Sequence, residues 1–126
     1  MFYNRKNIWS VISSIFNIYN NIQFFKNFSP LDYAALLNNC SCIMGNSSSG
    51  IREASFLGVP CVNIGNRQVG RERGNNVLDV PHESEAITNA VLKQIEIKRY
   101  PPSKIFGNGN AGKEIAKVLS EYDFEL

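Results

Sequence analysis

The stretch "GNSSSGIREASFLGVP", residues 45–60, decides the fold. Glycine and three consecutive serines stand directly before a helix-like segment, and Gly58 follows it as a typical helix-ending residue. We therefore predict a helix over residues 50–57. Short apolar runs at residues 42–44 and 59–64 flank it and are predicted as strands. Strands that alternate with helices in this way are typical of a parallel sheet covered by helices.

The same alternation extends in both directions from this stretch. On the N-terminal side, "IQFFKNF", residues 22–28, is predicted as a strand. Ser29 followed by Pro30 then marks the start of a helix that runs to about Asn39. On the C-terminal side, residues 76–80 are predicted as a strand. Further helices are predicted over residues 5–20, 84–97 and 111–122. The fold class is thus α/β, with a parallel sheet of about four strands.

Composition indicates one globular domain without a polyanionic partner. The chain has 126 residues, of which 44% are hydrophobic and 19% charged, as in a single soluble domain that spans residues 1–126. Its net charge of +2 is too small to predict nucleic-acid binding by bulk electrostatics. The apolar N-terminal segment is too short and too polar to span a bilayer, and no signal-peptide cleavage site follows it. We therefore expect a cytoplasmic protein without a membrane partner.

The cysteines and the single histidine do not predict a metal site. Cys40, Cys42 and Cys61, together with His82, lack the spacing that supplies four ligands to a structural zinc ion. We interpret the cysteines as buried free thiols in a reducing compartment. His82 follows Pro81, where a surface or capping role is expected. The sequence therefore predicts neither a metal nor a cofactor.

The serine stretch is predicted to hold an anion. It lies at the carboxyl end of a strand in a parallel sheet, where ligands bind in α/β folds. Small residues let the backbone come close to a bound group, and the first amides of a helix combine free donors with a favourable dipole. Phosphate is the anion that this chemistry suits best. The alternative is an ordinary serine-rich turn in which one serine caps the helix.

Charged residues near this stretch each have two interpretations. Glu53, one turn into the predicted helix, either contacts ribose hydroxyls or is a solvated acid favoured by the helix dipole. Arg67, Arg71 and Arg73, in the polar loop of residues 65–74, either clamp a diphosphate or are solvated. The segment "GNGNAG", residues 107–112, matches a dinucleotide-binding pattern only literally, so we interpret it as a turn and a helix start.

Together, the segments "GNSSSGIREASFLGVPCVNIGNRQVGRERGNNVLDV" and "YPPSKIFGNGNAGKEIAKVL" closely resemble the C-terminal part of the hydrolysing UDP-N-acetylglucosamine 2-epimerases. The resemblance covers residues 22–122. It implies a Rossmann-like three-layer parallel sheet, part of the C-terminal domain of a glycosyltransferase-B-like fold. Family members look like two such domains with the substrate in the cleft between them. They eliminate UDP from UDP-N-acetylglucosamine and hydrate the glycal to N-acetylmannosamine, which feeds sialic-acid-type sugar synthesis.

The resemblance also implies a substrate-binding site without catalytic residues. The serines and the glycine would lie on the diphosphate, the glutamate near the ribose and the arginine near the nucleotide-sugar. The residues assigned in this way are Ser47, Ser48, Gly50, Glu53 and Arg67. Relative to the family, we expect the N-terminal domain to be absent, and with it the carboxylates of the acid–base chemistry. The first two strands of the C-terminal domain, with a substrate-contacting histidine, are expected to be absent too, and the single histidine here does not replace that residue.

Two functions remain open on these grounds. The first is the C-terminal portion of a hydrolysing epimerase, competent only when another chain supplies the rest. The second is a non-catalytic UDP- or UDP-sugar-binding module, or the remnant of a split gene. The nucleotide-binding half of a related glycosyltransferase is disfavoured, because the loop "NIGNRQVGRERG", residues 63–74, suits the epimerases better.

Missing strands would also affect stability. The predicted strand at residues 22–28 would lack its usual neighbour, so it would either close onto the strand at residues 42–44 or leave exposed edges. Exposed apolar edges promote association. We therefore expect a marginally stable chain that forms a homo-oligomer or pairs with a complementing N-terminal domain.

Overall fold

The computed structural model describes residues 21–122. The chain divides into two compact units, Met1–Asp32 and Tyr33–Leu126. The helices are α1 (Pro30–Asn39), α2 (Glu53–Leu57), α3 (Ser84–Ile97) and α4 (Ala111–Glu121). The strands are β1 (Ile43–Gly45), β2 (Cys61–Ile64) and β3 (Val77–Val80), and a 3-10 turn spans Ser48–Gly50.

The three strands form a parallel sheet in the order β1-β2-β3. Gly45 pairs with Asn63, and Asn63 pairs with Asp79, so the strands are level at their carboxyl ends. This register brings the loops that follow β1, β2 and β3 to one edge of the sheet. The predicted α/β class, with a Rossmann-like parallel sheet, is confirmed.

Local sequence signals fix two helix ends as predicted. The hydroxyl of Ser29 accepts a hydrogen bond of 3.2 Å from the amide of Asp32 and donates one of 2.6 Å to its carboxylate. This reciprocal pair starts α1, as the sequence predicts. At the end of α2, Gly58 has a left-handed backbone with φ 68°, and its amide donates to the carbonyls of Ala54 and Ser55.

Two predicted elements are corrected. Residues 22–28 form no strand, because the described residues 21–32 are exposed and their backbone forms no β-sheet hydrogen bonds. An apolar segment becomes a strand only when its backbone pairs with that of another strand. The helix predicted over residues 50–57 begins three residues later, because Ser48–Gly50 close a 3-10 turn first. Within residues 21–122 the sheet thus has three strands, where about four were predicted. The predicted helix at residues 5–20 lies outside the described residues.

A small apolar core lies between the sheet and α1 and α2. Its buried members are Leu37, Ala54 and Val59. Beside it runs a set of buried polar side chains. The amide nitrogen of Asn76 donates to the carbonyl of Val59 at 2.8 Å, and Gln94 of α3 donates to the carbonyls of Cys61 and Asn76 at 2.8 and 2.9 Å. Side chains thus complete the backbone hydrogen bonding around the start of β2 and β3.

Candidate functional site

Residues 47–50, which we call the serine turn, follow β1 at the carboxyl edge of the sheet. Ser47 caps the 3-10 turn by accepting a hydrogen bond of 3.3 Å from the amide of Ser49. The hydroxyl of Ser49 accepts one of 2.8 Å from Tyr33. Ser48, which is half-buried, makes no side-chain hydrogen bond within the described part of the chain. Among the three serines, Ser48 is therefore the one whose hydroxyl has no hydrogen bond within the described residues.

The backbone of this turn differs from the expected helix start. The amide of Gly50 donates to the carbonyl of Ser47, and the amides of Ile51 and Arg52 both donate to the carbonyl of Ser48. These amides are used within the turn, and α2 has only 5 residues. In place of the free helix amides and the helix dipole expected from the sequence, the structure has a closed turn that carries one exposed and two half-buried serines.

Gly50 is required by packing. A Cβ atom built on it would come within 2.5 Å of the sulfur of Cys61 on β2. The turn can therefore lie flat against the sheet only with glycine at this position.

Glu53 and Arg67 lie on the surface beside this turn. Glu53 begins α2 with an exposed side chain that makes no hydrogen bond or ion pair in the described structure. Arg67 follows β2, and its Nη1 lies 3.4 Å from both the carbonyl and the side-chain oxygen of Asn46. The structure thus brings Arg67 to the residue directly before Ser47.

Gln68 ties the loop after β2 to the serine turn. It is 2% exposed, and its side-chain nitrogen donates a hydrogen bond of 2.7 Å to the carbonyl of Asn46. No sequence signal predicts this burial, because a glutamine in a polar, glycine-rich loop is ordinarily solvated. Its side-chain oxygen and that of Asn63 are the two buried side-chain acceptors without a partner within residues 21–122.

Arg73 joins the same loop to β3. Its Nη1 pairs with the carboxylate of Asp79, and its Nη2 donates a hydrogen bond of 2.6 Å to the carbonyl of Gln68. Asp79 also accepts a hydrogen bond of 2.6 Å from the side chain of Asn63. Of the three loop arginines, Arg73 is thus bound within the protein. Arg71 is exposed and makes no side-chain contact of this kind in the described region.

An open groove of about 510 Å³ lies beyond β2 and β3. Gly65 and Val69 line one side of it, and Asp79 and His82 the other. The imidazole of His82 covers Gly65, since a Cβ there would lie 2.2 Å from Nε2. His82 is therefore a surface residue that folds over the end of β2.

Burial makes the thiols weak acids. It raises the pKa of Cys61 to about 12, with smaller contributions from Cys42 and Asp79, and it also raises the pKa values of Cys40 and Cys42. All three cysteines are free. Among the described residues, no group of three or more potential ligands could hold a metal. No helix in that same part of the chain combines the length and apolarity needed to cross a membrane.

Comparison with known proteins identifies relatives of this chain. The family model described as UDP-N-acetylglucosamine 2-epimerase matches residues 3–120. The chain is 31% identical over 78 residues to the UDP-N-acetylglucosamine 2-epimerase of Neisseria meningitidis serogroup B, covering 62% of this chain and 21% of the relative. It is 31% identical over 98 residues to the UDP-N,N'-diacetylbacillosamine 2-epimerase (hydrolyzing) of Legionella pneumophila, covering 78% and 26%.

A third relative is more similar over a shorter segment. The polysialic acid biosynthesis protein P7 of Escherichia coli is 47% identical over 60 residues, covering 48% of this chain and 15% of the relative. The chain therefore spans about a quarter or less of the length of the relatives it matches.

Proposed function

The chain belongs to the UDP-N-acetylglucosamine 2-epimerase family, and from this premise we propose that it binds the UDP part of UDP-N-acetylglucosamine. In this proposal the serine turn holds the diphosphate. The observation that carries it is the hydroxyl of Ser48, which has no hydrogen-bond partner within the described chain and stands at the edge of the sheet where the loops converge. A hydroxyl in this position donates to a phosphate oxygen.

The neighbouring side chains fit the remaining parts of a nucleotide. Ser47 uses its oxygen as an acceptor, so its hydroxyl proton remains available to the same phosphates. Glu53 offers a solvated carboxylate to vicinal ribose hydroxyls, and Arg67 offers a guanidinium with Nη2 free of internal hydrogen bonds. Gly50 contributes by holding the turn against β2. We assign substrate binding to Ser47, Ser48, Gly50, Glu53 and Arg67.

We place this binding step in the conversion of UDP-N-acetylglucosamine to N-acetylmannosamine and UDP, within sialic-acid-type sugar synthesis in the cytoplasm. The names of two relatives, a UDP-N-acetylglucosamine 2-epimerase and a polysialic acid biosynthesis protein, support this assignment. The acid–base groups would come from a complementing N-terminal domain. The alternative is a module that binds UDP or a UDP-sugar without chemistry.

Isothermal calorimetry with UDP tests the site. We expect Ser48→Ala and Glu53→Ala each to weaken binding about tenfold, the effect of one lost hydrogen bond to a charged group. Matched controls are Ser41→Ala and Glu96→Ala, since both residues are exposed and form no side-chain hydrogen bond in the described structure. Wild-type affinity in both site variants would refute the proposed site.

Association of the chain is tested separately. The side chains of Ile115, Val118 and Leu119 on α4 are 59, 61 and 54% exposed, and exposed apolar surface favours association. We expect light scattering to show an oligomer that Leu119→Glu dissociates. A stable monomer with an ordinary cooperative thermal transition would contradict both the oligomer and the marginal stability expected from the sequence.

A further inference from the structure

Two loops and two strands at the carboxyl edge of the sheet are joined by one line of contacts. Asp79 of β3 accepts from Asn63 of β2 at 2.6 Å and pairs with Arg73. Arg73 in turn donates to the carbonyl of Gln68 at 2.6 Å. Gln68 then donates to the carbonyl of Asn46 at 2.7 Å. The line ends one residue before Ser47, at the entry to the serine turn.

We propose that Arg73 is a positioning residue: through Gln68 and Asn46 it holds the serine turn in the geometry that binds a nucleoside diphosphate. This inference rests on the proposed function. Arg73 directs Nη1 to the carboxylate of Asp79 and Nη2 to the carbonyl of Gln68, so its charge is paired within the protein. Its effect on a ligand is therefore indirect.

The line is partly buried. The side chains of Arg73 and Asp79 are 22% and 52% exposed, and Gln68 and Asn63 are 2% and 1% exposed. Hydrogen bonds that involve a charged partner and little water are stronger than exposed ones. Gln68 has no partner for its side-chain oxygen within residues 21–122. Its side chain is held by the bond to Asn46, and its carbonyl accepts from Arg73 at 2.6 Å and from the amide of Arg71 at 3.4 Å.

The planar guanidinium is essential to this arrangement. Arginine presents two nitrogens in a fixed fork and can bridge Asp79 and Gln68 at once, whereas lysine offers a single point charge. A contribution from charge alone would survive Arg73→Lys. A contribution from bridging would be lost in Arg73→Lys as well as in Arg73→Ala.

The test measures UDP affinity by calorimetry on the full chain, below the thermal transition of each variant. We expect the dissociation constant to rise about tenfold in both Arg73→Ala and Arg73→Lys. Lys93→Ala removes the same charge from an exposed site on α3 and is expected to stay within about twofold of wild type. Leu37→Ala lowers stability from the core and is expected to leave UDP affinity unchanged, which separates positioning from folding.

A ligand-free readout keeps the two proposals distinguishable. In nuclear magnetic resonance spectra, the amide signals of Ser47, Ser48 and Ser49 should shift or broaden in Arg73→Lys and stay in place in Lys93→Ala. If wild-type protein does not bind UDP, the proposed function fails while this comparison still decides whether Arg73 positions the turn. Unmoved serine signals, or wild-type UDP affinity in Arg73→Lys, would overturn the inference.

Discussion

The hydroxyl of Ser55 lies 2.6 Å from the side-chain oxygen of Asn76, to which it donates a hydrogen bond across 21 residues of sequence. Both residues are buried, at 1% and 2% exposure. The nitrogen of the same amide donates to the carbonyls of Val59 and Gly50. One side chain thus joins α2, the start of β2 and the serine turn.

Replacing Asn76 should be costly for this reason. Asn76→Ala leaves the buried carbonyl of Val59 without its donor, so we expect the free energy of unfolding to fall by about 2–4 kcal/mol. Asn75→Ala is the matched control, because Asn75 is exposed and its side chain forms no hydrogen bond in the described structure. Urea denaturation measures both. Equal midpoints for the two variants would show that the buried amide contributes little.

Gly58 and Gly70 allow backbone strain to be separated from steric clash. Both have positive φ, at 68° and 81°, but a Cβ on Gly58 would come within 2.1 Å of the carbonyl oxygen of Tyr100, whereas one on Gly70 meets nothing within 4 Å. We expect Gly58→Ala to cost about 3 kcal/mol or more and Gly70→Ala about 1 kcal/mol. Thermal denaturation of the two variants checks this order, and a reversed order would contradict it.

The raised pKa of Cys61 predicts that the protein loses stability in alkaline solution. Its pKa is raised from 9.0 to about 12 in the folded protein, so between these values the folded state holds a proton that the unfolded state has released. The contribution of Cys61 to the free energy of unfolding should therefore have its full value below pH 9 and decline as the pH rises above 9. The expected decline is about 2 kcal/mol between pH 8 and 10.5.

Cys61→Ala isolates this contribution. Denaturation midpoints of wild type and variant should converge as the pH rises over this range, because other titrating groups affect both proteins alike. A constant difference between the two proteins would mean that Cys61 does not titrate with a raised pKa.

Turnover distinguishes the epimerase from a binding module. We expect the purified 126-residue chain to release no UDP from UDP-N-acetylglucosamine, because catalysis needs positioned acid and base groups that the proposal assigns elsewhere. A coupled assay for free UDP measures this, and release by a homogeneous preparation would refute the prediction. Activity that appears on adding a family N-terminal domain would favour the epimerase over the module.

Short-range signals explain what the sequence predicted well. Ser29 and Gly58 act on residues within one turn, so the start of α1 and the end of α2 followed from the sequence alone. The segment at residues 22–28 was predicted from its apolar pattern, but a strand also needs a partner that local sequence does not specify.

The candidate site was predictable only in part. The serine turn was recognisable from its composition, yet its 3-10 geometry depends on hydrogen bonds within the turn that compete with a helix start. The pairing of Arg73 with Asp79, and the burial of Gln68, follow from the register between β2 and β3 and from the path of a ten-residue loop, residues 65–74. No spacing in the sequence encodes these contacts.

The contact between Gly50 and Cys61 gives this protein a chemical reporter of its own. A thiol covered by the serine turn can react with an alkylating reagent only after the turn lifts from the sheet, so its labelling rate measures how often the turn opens. A ligand that closes on the serines would slow that rate. The turn's motion can thus be timed without attaching a fluorophore.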